Sequence, residues 1–284
     1  AQPSARHTHG LQPQPATLVT GATGFVGSAL VADLVRDGQR VIVLTRDALQ
    51  ARASFGPGVW VVDTLDAIPS ETTIDAVVNL AGARVLGMPW TAARRRQLLA
   101  SRVDTTVAVV NLMRRLHKAP RVLVSASAVG FYGPSPNASM EPLDETAPPR
   151  PGEFQSDLCA VLGHGRQRAP WIHLADAVGL VRFAMAHQTL QGPVNAVAPD
   201  AVTQATFAQA LAASFGRRAW LRMPGLPLRA LLGELSTLLL DGQNAVPSTA
   251  LGQGYRFVHP QLSGALADLA LADAAGTDLA QTEY

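Results

Sequence analysis

Residues 20–27, TGATGFVG, restrict this chain more than any other stretch. Gly21, Gly24 and Gly27 keep the spacing G-x-x-G-x-x-G where an apolar run, Thr17-Leu-Val-Thr20, gives way to a helical pattern. A tight turn there needs positive φ, and an approaching pyrophosphate needs backbone with no Cβ in the way. The N-terminus of the following helix then offers free N–H groups and a partial positive charge. Val26, Leu30, Leu34 and Val35 fall on one face of that helix, and Gly38 stands where a C-terminal cap belongs. A glycine-rich turn alone is a weak sign. Here a strand precedes it, a helix follows, and a second strand over 40–45 comes next, which is the context of a dinucleotide-binding turn. Gly21, Thr23, Gly24, Phe25, Val26 and Gly27 are its expected contacts with the cofactor.

The next elements extend that reading. Arg46 follows the second strand, about twenty residues past the turn, where an acid would bind a ribose 2′-hydroxyl and an arginine favours the 2′-phosphate of NADP. Asp47 beside it is the competing choice. Residues 59–62 form a third strand, and Asp63 at its end can reach the adenine or cap the loop. A fourth strand over 76–80 closes on Ala81, Gly82 and Ala83, small enough for backbone to pass under a cofactor, and Leu80, Ala81 and Gly82 are expected cofactor contacts. A long helix follows over 91–117, with Leu98, Leu99, Val103, Val107, Val110 and Met113 as its expected buried face. A fifth strand over 121–125 leads to Ser127 and Tyr132. Strands alternating with helices of this length predict an α/β, Rossmann-type, doubly wound parallel sheet, followed by a smaller C-terminal α+β region on the substrate side. Further helices are expected over 174–185, around Phe207, Leu211 and Phe215, and along the leucine stripe of 228–239, a core face or a dimer face.

Composition excludes several alternatives. Apolar residues make up 48% and charged residues 15%, which indicates a soluble globular chain. A net charge of +2 with scattered basic residues implies no nucleic-acid partner. One cysteine excludes a disulfide framework and suits the cytoplasm. No apolar stretch is long enough to span a membrane. Residues 1–16 read as a flexible lead-in, and His7 and His9 as part of it, so no metal site is expected.

TGATGFVG, the strand ending NLAG and the segment SASAVGFYG together resemble the extended short-chain dehydrogenase/reductase superfamily. The finer resemblance is to its atypical, epimerase-like branch with a C-terminal domain of unknown function. It is carried by Trp90, Ser101-Arg102, Gly165-Arg-Gln167, Trp171-Ile-His173 with Asp176, Gly192-Pro-Val-Asn195, and a C-terminal pattern from Arg217 to Phe257. The resemblance implies an oxidoreductase or epimerase fold with NADP as cofactor. Two departures qualify it. The superfamily's catalytic Tyr-x-x-x-Lys pair is absent: the chain has one lysine, Lys118, with Arg114 four residues before it. Gln155 and Cys159 stand where the pair is expected, and the atypical branch also lacks it. Between Cys159 and Leu162 the superfamily would complete a helix and add a strand and a further helix, on the order of thirty residues for one such step. The expectation is that a segment is missing near 159–162, since a sheet without its sixth strand would expose a hydrophobic edge.

The expected organisation is therefore a lead-in at 1–16, an NADP-binding Rossmann domain at 17–190 and a smaller domain at 191–284. Without the usual acid/base pair, Ser127 is expected to orient a substrate oxygen, Arg102 to stabilise negative charge and Tyr132 to donate a proton. The expected activity is NADP(H)-dependent oxidoreduction or epimerisation of a small molecule, with a possible homodimer. The alternative is an NADP(H)-binding redox sensor without turnover.

Overall fold

The computed structural model describes residues 15–83, 91–128, 132, 142–147, 168–214 and 243–281. They form two compact units, one of residues 1–82 and 99–126 and one of 83–98 and 127–284. The segments 168–214 and 243–281 of the second unit build a core of their own, which is why they separate from the sheet.

In the first unit, strands β1 (Ala16–Thr20), β2 (Arg40–Leu44), β3 (Val59–Val62), β4 (Ile74–Asn79) and β5 (Val122–Ser125) form one sheet in the order β3-β2-β1-β4-β5. All neighbouring pairs are parallel. Strands β1 and β4 are apolar on both faces because helices cover both, as a parallel sheet requires. On one face, Leu18, Ile42, Val62 and Val77 join Leu65, Ile68, Val109, Leu112 and Leu116 in a buried cluster. Helix α1 (Phe25–Arg36) buries Gly27, Leu30, Val31 and Leu34 and ends at Gly38, whose φ of 71° confirms the expected cap position. Helix α2 (Ala48–Phe55) follows β2.

Helix α3 (Ala92–Arg115) lies within the expected span, but it is rotated from the expected orientation. Of the expected face, Leu98 is buried and Met113 packs against the core cluster, whereas Leu99, Val103 and Val107 are 42%, 56% and 52% exposed, and Val109 and Leu112 are buried instead. The two stripes differ by well over 100° around the helix at 3.6 residues per turn, so only one can face the sheet. The Val109 stripe, which meets the Leu18–Ile42 cluster, is the one that does. Strand β5 is likewise uncovered: its residues alternate between half-buried and exposed, and Leu123 is 37% exposed. It is the edge strand of the described sheet.

The second unit holds a two-stranded antiparallel sheet, β6 (Arg168–Ala169) with β7 (Val202–Thr203). Among the described residues its helices are α4 (Leu174–Ala186), α5 (Gln204–Ser214), α6 (Ser248–Gly252) and α7 (Leu262–Gln281). Trp171, Ala198, Val202, Leu262, Ala265 and Leu266 form its core, with Phe207 packed against it. Leu211 on the same helix is exposed. Trp90, Gln155, Cys159, Leu162, Phe215 and the stripe of 228–239 lie outside the described residues. Among the described residues no helix is long and apolar enough to cross a membrane.

Candidate functional site

The turn between β1 and α1 is built by its glycines. Gly21 adopts φ of 68°, and a Cβ on it would lie 2.5 Å from the carbonyl oxygen of Leu80 and 2.8 Å from the amide nitrogen of Ala81. A Cβ on Gly27 would lie 2.2 Å from the carbonyl oxygen of Gly21. Gly24 meets only that oxygen, at 3.1 Å, and its extended φ of −79° is open to any residue. It is exposed, as are Thr23 and Phe25, while Val26 is half-buried. Gly21 and Gly27 therefore close the turn, and Gly24 leaves room outside it. No side chain caps α1. Its first-turn amides are unmatched donors within the helix, in the arrangement that takes a phosphate.

At the end of β2, Arg46 is exposed and Asp47 is committed elsewhere. The Asp47 carboxylate accepts the amide of Gln50 at 2.9 Å and caps α2, while its own amide donates to the Thr45 hydroxyl at 3.2 Å. Asp63, just past β3, is exposed. Leu80 and Ala81 are half-buried against Gly21, and Gly82 is exposed.

A polar row crosses the sheet where its strands end. Thr20, Asn79 and Ser125 sit in register on β1, β4 and β5. The Thr20 hydroxyl donates to Asn79 Oδ1 at 2.6 Å, and Asn79 Nδ2 donates to Ser125 Oγ at 3.3 Å and to Thr106 Oγ1 on α3 at 3.1 Å. Thr106 in turn donates to the carbonyl of Arg102 at 2.8 Å. The half-buried Arg102 guanidinium stacks over Gly82, and burial lowers its pKa below the ordinary arginine value. Sequence reasoning missed this row, although each apolar strand ending in a polar residue was a visible sign.

The other two expected catalytic residues belong to the second unit. Ser127 is exposed, two residues past β5. Tyr132 is buried, and its hydroxyl donates to Asn195 Oδ1 at 2.8 Å. Asn195 is itself held by the carbonyls of Leu143 and Val246 and by Glu145, which accepts its amide. Burial raises the Tyr132 pKa, and Glu145 and Asp144 add to the shift against the lowering by Asn195. Its phenol is thus tied into a structural network.

The same unit contains a second buried network. Asp176 is 0% exposed, and its carboxylate accepts the amides of Val258 at 2.7 Å and His259 at 2.8 Å and the Tyr255 hydroxyl at 3.2 Å. It ties α4 to residues 255–259. Helix α4 is capped by His173, whose Nδ1 accepts the Ala175 amide at 3.2 Å. His173, His259 and Asp268 bring potential metal ligands within 4.8 Å of one another. Since His173 Nδ1 is an acceptor, the neutral ring carries its proton on Nε2, which lies 3.4 Å from Asp268 Oδ2. That nitrogen then carries a proton and faces the carboxylate without a hydrogen bond to it, which does not suit a metal ion. Burial lowers the His173 pKa, His259 adds to the effect, and Asp268 and Asp176 oppose it.

Residues 17–156 match the NAD dependent epimerase/dehydratase family, and residues 223–269 match DUF1731, a domain of unknown function. The epimerase family protein SDR39U1 of Mus musculus is 30% identical over 298 residues, covering 89% of this chain and 98% of its own. The chain belongs to the NAD-dependent epimerase/dehydratase family. Within that family, YfhF of Bacillus subtilis is also 30% identical, over 293 residues, covering 88% of this chain and 96% of its own. A crystal structure of human SDR39U1 with NADPH is 28% identical and superimposes with a TM-score of 0.78, over 90% of this chain and 99% of that one. The family match is uneven in length. The 298 positions aligned with the mouse protein draw on 89% of the 284 residues, about 253, so about 45 positions of that relative face no residue here.

Proposed function

We propose that this chain binds NADP(H) across the carboxyl ends of β2, β1 and β4 and acts on a small molecule as an oxidoreductase or epimerase-like protein. The observation that carries the cofactor choice is the division of labour between Arg46 and Asp47. The acid that would bind a 2′-hydroxyl is spent capping α2, and the exposed guanidinium beside it suits a 2′-phosphate. The uncapped first turn of α1 and the open space outside Gly24 suit the pyrophosphate. The NADPH in the human relative's structure supports the same reading. Phe25 and Val26 would flank the dinucleotide at the turn, and Asp63 its adenine end.

Chemistry would proceed without a tyrosine–lysine pair, since the sequence contains none. Ser127 is the proposed group for orienting a substrate oxygen. Tyr132 is not available as a proton donor, because its hydroxyl is donated to Asn195 in a buried network. The test is calorimetric titration of wild type and Arg46→Ala with NADPH and NADH. Wild type should prefer NADPH by roughly 10- to 100-fold, as for one charge-assisted hydrogen-bonded contact, and the variant should lose the preference. Equal wild-type affinities would refute the assignment. The missing pair also favours a second reading, an NADP(H)-binding sensor without turnover. Consumption of NADPH with any member of a carbonyl-substrate panel decides for the enzyme.

A further inference from the structure

Thr20, Asn79 and Ser125 stand opposite one another on β1, β4 and β5, so their side chains share one face of the sheet. The buried Thr20 hydroxyl donates to Asn79 Oδ1. Both hydrogens of Asn79 Nδ2 are donated in turn, one to Thr106 Oγ1 and one to Ser125 Oγ. Thr106 passes its own proton to the Arg102 carbonyl. A serine hydroxyl has one donor and two lone pairs. At Ser125 a lone pair is taken by Asn79, and the amide nitrogen has none to offer in return, so the Ser125 proton points away from the row. Among the described residues it is the one donor of the row without an acceptor. Ser125 is also the one exposed residue of the three. The hydrogen bonds that lead to it polarise its hydroxyl in the same sense, which makes it a better donor.

Backbone bonds hold the row in place. The Leu80 amide donates to the Thr20 carbonyl at 3.2 Å and the Ala126 amide to the Asn79 carbonyl at 2.9 Å, so the three strands stay paired past it. Ser125 therefore keeps two strand spacings, about 10 Å, from the strand that feeds the glycine turn. In the NADP(H) reading the adenosine half leaves the pyrophosphate across β2, which ends at Arg46, and β3, which ends at Asp63. The two halves of a dinucleotide have similar lengths on either side of the pyrophosphate. The nicotinamide half then runs the other way, across β4, and its ring ends at β5. The carboxamide oxygen at the edge of that ring accepts hydrogen bonds.

We propose that Ser125 donates its hydroxyl proton to the carboxamide oxygen of the bound nicotinamide and so selects the ring face turned toward the substrate. The inference rests on the NADP(H) reading above. It supplies a contact for the end of the cofactor that Arg46 and the glycine turn do not reach. A ring free to rotate about its glycosidic bond presents either face, and an oxygen held at its edge separates the two orientations.

The experiment is calorimetric titration of wild type, Ser125→Ala and Ser125→Thr with NADPH, thio-NADPH and 2′-phospho-ADP-ribose. Thio-NADPH replaces the carboxamide oxygen by sulfur, a weaker acceptor. The third ligand keeps the 2′-phosphate and pyrophosphate and lacks the nicotinamide. Ser125→Ala should weaken NADPH roughly 3- to 10-fold, as for one neutral hydrogen bond, and leave 2′-phospho-ADP-ribose unchanged. Ser125→Thr keeps the hydroxyl and should retain most of the NADPH affinity. Wild type should bind NADPH more tightly than thio-NADPH, and Ser125→Ala should bind the two alike. Equal loss of NADPH and 2′-phospho-ADP-ribose in Ser125→Ala would assign Ser125 to the fold and overturn the proposal. Full NADPH affinity in that variant would overturn it too, as would an oxygen-over-sulfur preference of the same size in wild type and variant. Wild type that binds none of the three ligands would overturn the cofactor reading and this inference with it.

Discussion

Adding one methyl group at Gly24 and at Gly27 should give opposite results, although the two glycines look equivalent in the sequence motif. At Gly27 a Cβ would lie 2.2 Å from the Gly21 oxygen, 2.8 Å from the Ala22 Cα and 2.9 Å from the Gly21 carbonyl carbon. All three neighbours are backbone, so the turn itself must move. Overpacking of this kind costs about 1–3 kcal/mol, and the gain in helix propensity from Gly to Ala returns at most about 1 kcal/mol. Gly27→Ala should therefore lose on the order of 1–2 kcal/mol, lowering Tm by roughly 2–8 °C. It should weaken NADPH as well, because the displaced turn carries the amides proposed to face the pyrophosphate.

At Gly24 the single neighbour stands 3.1 Å away and φ is −79°, which an alanine adopts freely. Gly24→Ala should stay within about 0.5 kcal/mol of wild type in stability. Its methyl enters the space outside the turn, so NADPH affinity should fall roughly 10- to 100-fold through loss of charge-assisted contacts. Thermal unfolding by circular dichroism without cofactor, and calorimetric titration with NADPH, read the two effects separately. A destabilised Gly24→Ala beside an unperturbed Gly27→Ala would refute the geometric reasoning. So would full NADPH affinity in both.

Asp176→Ala would leave the amides of Val258 and His259 without their acceptor, so a loss of roughly 1–3 kcal/mol is expected in denaturant unfolding, and a change below about 0.5 kcal/mol would contradict the latch. The folded-state pKa of His173 lies below its unfolded value, so its contribution to stability is fully present above the unfolded pKa of about 6.5 and is lost as pH falls from there toward the folded value. Unfolding free energy measured between pH 7.5 and 5 should decline, and His173→Asn should flatten that decline by removing the titrating ring; an equal slope in the variant would assign the dependence to other groups. On α3, Val103→Gln should change stability by less than about 0.5 kcal/mol, whereas Leu112→Ala should cost about 2–5 kcal/mol, and the reverse order would show that the expected stripe faces the core after all.

The uncovered flank of the first unit bears on the length of the family match. Leu99, Val103 and Val107 on α3 and Leu123 on β5 leave apolar surface exposed. The relatives carry about 45 positions that this chain lacks.

What the sequence determined by itself was whatever depends on neighbours a few residues apart. The glycine turn was legible because positive φ at Gly21 and the absence of Cβ at Gly27 are requirements of the local backbone. The strands β1 to β5 and helices α1, α3 and α4 were legible to within a few residues, because apolar period and cap residues are local signals. Parallel pairing followed from their alternation, since a crossover of that length returns the chain in the same direction. Tertiary structure alone decided which side of α3 is buried, because two apolar stripes compete on one helix and only the sheet selects between them. It also decided that Tyr132 belongs to Asn195, 63 residues away, and Asp176 to the amides of Val258 and His259. Those partners share no period or motif with the residues they bind. Burial creates their pairing, because a polar group removed from water must find its hydrogen bonds wherever the fold brings a partner within reach.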